Sequence, residues 1–130
     1  MKFNSSPRNT LGIEVESGIV DLDSLALVSR SDEVLAELAE PHGGEHPKAK
    51  HEFYQSSIEV ITGICETVEE AGEDLSETFA EVEQALARRG LAVQPGGLHP
   101  FSAWHDLNVT DKERYNNFAE RIQWPARRSM

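Results

Sequence analysis

The stretch spanning residues 66–89 constrains the fold of this chain more than any other. Val68, Ala71, Leu75, Phe79, Val82 and Leu86 recur at intervals of three and four, the period of a helix with one apolar side. Acidic residues crowd its beginning, Arg88 and Arg89 close it, and Gly90 follows. Acids suit a helix N-terminus, bases its end, and glycine the stop. Such a stripe has to be buried, and the β-prone segments on either side supply a sheet to bury it against.

Residues 10–16 read as a strand, with Leu11, Ile13 and Val15 on one face and Gly12, Glu14 and Glu16 on the other. Positions two apart on a strand are about 7 Å apart, so these two carboxylates stand side by side. Residues 18–27 are a weaker apolar stretch, read as a second strand or hairpin partner. Residues 53–61, with Phe, Tyr, Ile and Val, read as a further strand. Glu52 immediately precedes it and Glu59 lies within it, and because they are seven apart a regular strand points them to opposite faces. They share a site only where a bulge or the strand's beginning breaks the alternation. Residues 91–93 form a short strand after Gly90.

Two shorter helices complete the pattern. Ser31 is positioned to cap one over residues 32–38, which Pro41 ends. Thr110 is positioned to cap the other, with Tyr115, Phe118, Ala119 and Ile122 on one side and Trp124-Pro125 as its stop. Residues 1–9 read as a flexible N-terminus, and residues 41–51 as a loop carrying His42, His46 and His51. The histidine spacing matches no zinc pattern and has no cysteine partner. The element order argues for an α/β (α+β) unit with helices on one face of a sheet.

A length of 130 residues allows one domain or a piece of a larger one. The net charge of −11 disfavours nucleic acid, whose binding rests on phosphate neutralisation. The sequence has no apolar run long enough for a membrane span, and a cytoplasmic location is expected. Cys65, the lone cysteine, sits among apolar neighbours and reads as a buried small side chain. There is no Gly-rich phosphate fingerprint, no nucleophilic triad, and no basic phosphate cradle. No catalytic residue is assigned.

Taken together, Thr10-Leu11-Gly12-Ile13-Glu14-Val15-Glu16, Glu52, Ile58-Glu59-Val60-Ile61-Thr62-Gly63-Ile64-Cys65, Gly97-Leu98-His99-Pro100-Phe101-Ser102-Ala103-Trp104 and Thr110-Asp111-Lys112-Glu113-Arg114-Tyr115 resemble the N-terminal part of the carboxylate–amine ligases of the glutamate–cysteine ligase type 2 family. Ser17-Gly18 and Leu98 depart from its usual pattern. The resemblance implies a glutamine-synthetase-like antiparallel sheet, here incomplete, with residues 10–130 as the N-terminal part of a catalytic domain. It implies an ATP-dependent ligase that joins a glutamate-like carboxylate to a cysteine-like amine through an acyl phosphate. Glu14, Glu16, Glu52 and Glu59 match the positions that hold magnesium, so the cofactors expected are ATP and Mg. Family members are longer and continue into a Gly-x-His-Val-His strand. The 130-residue chain alone is therefore expected to be inactive, and the alternative to the ligase reading is a truncated, catalytically inactive fragment or an acidic interaction module.

Overall fold

The computed structural model describes residues 7–122. Four strands, β1 (Glu14–Asp21), β2 (Ala49–His51), β3 (Ser57–Ile61) and β4 (Leu91–Gln94), form one antiparallel sheet in the order β2-β3-β1-β4. Helices α1 (Ser31–Ala39) and α2 (Val68–Ala87) lie on one face, and α3 (Glu113–Arg121) follows near the end. This is the mixed α/β architecture that the periodicities require.

The covered face is apolar. Ile19, Ile58, Val60, Ala49 and Leu91 from the strands meet Val34, Leu35 and Leu38 of α1 and Val82, Ala85 and Leu86 of α2. Alternation then sends Glu14, Glu16, Lys50 and Glu59 to the opposite face. Thr67 caps α2 by accepting the Glu70 N–H at 3.1 Å, and Gly90 ends it at φ 69°. Val68, assigned above to the buried stripe, is instead 70 % exposed; Ala71, Thr78 and Ala85 take the inner positions. Cys65 is buried, as its neighbours suggest.

Several local expectations change. The first strand starts at Glu14 and runs on to Asp21, so the 18–27 stretch holds the second half of β1 and not a separate strand. Its end does fold back as a short hairpin return: the Asp21 N–H meets the Ala26 carbonyl at 3.1 Å and the Val28 N–H the Ile19 carbonyl at 3.0 Å, on either side of a Val20–Leu27 bridge. Ser31 is the first helical residue of α1, and its hydroxyl is buried without a partner instead of capping. The 41–51 loop ends in β2, which its polar composition concealed. Thr110 caps nothing: its hydroxyl donates to the Glu52 carbonyl at 2.6 Å, and α3 begins at Glu113. Trp124 and Pro125 lie outside the described residues.

Asp74 of α2 ties the sheet to the helix layer. Its carboxylate pairs with Lys48, just before β2, and accepts the Gly63 N–H, just after β3, at 2.8 Å. The Lys48 partnership and that N–H hold its pKa below the usual aspartate range. A carboxyl depressed in the folded state stabilises the fold above its unfolded pKa, and the contribution disappears as pH falls through the folded value. Asp74→Asn is expected to lower the melting temperature at neutral pH, where the depressed carboxyl is ionised in the parent. Thermal melts across pH should show the variant and the parent converging as the solution becomes strongly acid.

Candidate functional site

The polar face of the sheet gathers the acids. Glu16 of β1 and Glu59 of β3 are directly paired across the strands, and Lys50 of β2 pairs with Glu59 on its other side. Glu52 lies one step past the end of β2. Phe53 to Ser56 do not extend a strand; they turn the chain between β2 and β3, with the Ser57 N–H bonded to the Tyr54 carbonyl at 3.1 Å. The seven-residue spacing that opposed Glu52 and Glu59 in a single strand therefore brings them together across a hairpin. One carboxylate oxygen from each of Glu16, Glu52 and Glu59 falls within 4.8 Å of the others. Glu14 is on the same face, paired with Ile61, but stands outside that trio.

The hairpin turn is held from a distance. The Thr110 N–H donates to the Phe53 carbonyl at 2.9 Å and the Gln55 N–H to the Asn108 carbonyl at 2.9 Å, while Tyr54 bridges Val109. Phe53 and Tyr54 are buried beside Tyr115 of α3. Within the turn, Glu52 also accepts the Phe53 N–H at 2.8 Å, which fixes its carboxylate.

Partial burial pushes the Glu16 carboxyl up from its ordinary pKa, with Glu52 and Glu14 adding repulsion. Burial does the same to Glu59, reinforced by Glu52, Glu14 and Glu16 and offset in part by Arg114. Like charges directly opposite on a sheet are destabilising, so this face is assembled against its own electrostatics. A divalent cation among the three oxygens would relieve that repulsion, and hard cations of this kind take oxygen ligands. The donor set fits magnesium.

Two clefts flank the acids. Glu16 and Glu52 line one of about 690 Å³, together with Gly18, Gln94, His99 and Trp104. A Cβ on Gly18 would meet Leu27 Cδ2 at 2.8 Å and Gln94 Oε1 at 2.9 Å, so the glycine lets those side chains cross the face. The covering segment is pinned where His99 Nε2–H meets the Leu25 carbonyl at 3.0 Å and the Ser102 hydroxyl accepts the Leu27 N–H at 2.9 Å. Glu59 lines the other cleft with Lys50, Lys112 and Arg114. That basic wall is not legible in the sequence, because its members come from β2 and from the 110–115 motif and meet only in the fold.

The histidines serve the frame. His42 and His46 lie close to Glu81, while His51 pairs elsewhere, with Asp32 at 3.0 Å. His46 Nδ1 accepts the Ala49 N–H at 2.8 Å and the Lys48 N–H at 3.2 Å. The ring proton is thus on Nε2, 3.3 Å from the Glu81 carboxylate. Neither nitrogen of His46 is left free for a metal.

The sequence as a whole has known relatives. A profile of glutamate–cysteine ligase family 2 matches residues 10–130. A protein of Thermobifida fusca provisionally named glutamate–cysteine ligase 2 is 46% identical over 131 residues, which cover 100% of this chain and 33% of that protein. Similarly named proteins of Frankia casuarinae and Leifsonia xyli are 42% and 37% identical, covering 98% and 100% of the chain and 34% of each relative. The chain thus spans about a third of the length of the curated relatives it matches. None of the helices among the described residues is long and apolar enough to cross a membrane.

Because the folded state raises the Glu59 pKa, its ionised form opposes folding at neutral pH. Glu59→Gln is expected to raise the melting temperature of the metal-free chain by a few degrees, as would Glu16→Gln. Calorimetric melts in chelator-treated buffer check this.

Proposed function

The chain belongs to glutamate–cysteine ligase family 2, and from that premise we propose that it supplies the magnesium-binding acidic edge of an ATP-dependent carboxylate–amine ligase site. The observation that carries the proposal is the convergence of Glu16, Glu52 and Glu59, with ligand oxygens inside 4.8 Å, from two strands and a hairpin turn. Magnesium is commonly held by one or two carboxylates plus substrate phosphates, and this open set leaves room for phosphate oxygens. Glu14, one step along β1, extends the edge toward a second, neighbouring ion.

The reaction proposed is two-step. A glutamate-like carboxylate oxygen attacks the terminal phosphorus of ATP, the bond to the bridging oxygen breaks, and ADP leaves. A cysteine-like amine then attacks the acyl phosphate carbonyl, loses a proton, and expels phosphate to leave the amide. Bound magnesium would offset the charge that builds on the phosphate oxygens. The residues of this chain do the positioning: the β1–β3 register fixes Glu16 and Glu59, and the Thr110 and Asn108 contacts fix the turn that carries Glu52. Rigid placement of this kind is a large part of phosphoryl-transfer catalysis.

Magnesium titrated into the chain is expected to raise its melting temperature as binding to the folded state dictates. Glu52→Gln and Glu59→Gln should weaken binding by about tenfold or more, since even the partners of metal ligands are worth that much. Glu14→Gln should change it less. Isothermal titration measures all three, and undiminished affinity in both Glu52→Gln and Glu59→Gln would refute the proposal.

A further inference from the structure

The second cleft, of about 670 Å³, runs along the β2 edge between α1 and the first turn of α3. Its wall holds Lys50, Lys112 and Arg114, and it shares Glu59 with the acid trio. The other acids of the wall already have partners. Asp32 is engaged by His51 at 3.0 Å and by the Gln55 amide at 2.9 Å, and Glu45 lies 3.9 Å from Lys112.

Arg114 is in a different situation. Its guanidinium lies over the Tyr115 ring, 4.3 Å from the centroid, and donates to the Tyr115 hydroxyl. Tyr115 is itself fixed, being buried and donating that hydroxyl to the His51 carbonyl at 3.0 Å. The arginine feels the charges of Glu52 and Glu59, yet among the described residues it forms no ion pair. A planar fork already stacked on an aromatic ring has little freedom left to lose on binding, and it meets oxyanions two bonds at a time.

Resting on the reading that Glu16, Glu52 and Glu59 hold magnesium, we infer that Arg114, with Lys50 and Lys112 beside it, binds phosphate oxygens that the same ion contacts. The β2-edge cleft is then the subsite for the polyphosphate arm of the nucleotide. Lys112 lies by Glu45 and Lys50 donates to the His46 carbonyl at 2.7 Å, so Arg114 is the cation that a polyphosphate meets without breaking an ion pair, and the two lysines add to its field. A free amino acid, with fewer oxyanions and an ammonium group, is the poorer match for the guanidinium fork.

The test is calorimetric titration of inorganic tripolyphosphate into the full 130-residue chain at saturating magnesium, with glutamate titrated in parallel. Arg114→Ala should weaken tripolyphosphate binding by about tenfold or more while leaving magnesium affinity unchanged or tighter. Arg114→Lys, which keeps the charge and loses the fork, should fall between the two and guards against a folding defect in the alanine variant. Unchanged tripolyphosphate affinity in Arg114→Ala, with magnesium still bound, overturns the inference and leaves the acidic edge standing. Glutamate binding that is lost in place of tripolyphosphate binding overturns it too. A parent chain that binds no magnesium overturns both readings.

Discussion

Setting Glu16 directly across from Glu59 puts two like charges side by side on an antiparallel sheet, and everything else in this structure has to hold that register. The force that does so comes from the other face. Ile19, Ile58 and Val60 alternate with the acids and are buried under α1 and α2. A slip of one residue would turn those side chains to water and the carboxylates into the core. Burial of each large aliphatic side chain is worth about 1.5–3 kcal/mol, against the smaller repulsion of a half-exposed acid pair. Packing wins, and the acids stay where they are.

The polar contacts finish what packing begins. Asp74 joins the start of β2 and the end of β3 to the helix layer, which sets the hairpin that swings Glu52 toward Glu59. Arg88 and Arg89 reach Glu37 of α1 and hold the two helices together at their ends. His46 orders the approach to β2 through two backbone N–H groups. These charged or titratable side chains tie one element to the next, which keeps the strand edges, and so the acids, in a single arrangement.

Much of this was legible in the order of residues. The long helix announced itself by its stripe and its stop at Gly90, and the short β4 strand followed from the same stop. The acids of β1 could be read because alternation is local. Glu52 could not be placed, because its position depends on a turn at Phe53 to Ser56 that opens on two strand-forming aromatics. Phe53 and Tyr54 are buried, but against α3 and the 107–109 segment, so tertiary contact overrode local preference there. Thr110 misled for a related reason: a hydroxyl suited to capping a helix is instead consumed by a carbonyl far back in the chain. The basic wall was invisible because Lys50 and Arg114 meet only once α3 docks.

The hydrogen bond from Thr110 to the Glu52 carbonyl spans 58 positions of sequence, and this bears on when the site exists during synthesis. Two of the three carboxylates can be paired as soon as β1 and β3 have left the ribosome. The turn carrying the third is unsupported until the 108–115 segment follows it out. For that interval a nascent chain carries strand pairs without the clamp that orients Glu52, so the trio of carboxylates is completed in time from its far end. Long-range closure of this sort is the slow part of folding for sheet proteins, and here it coincides with the assembly of the acidic face.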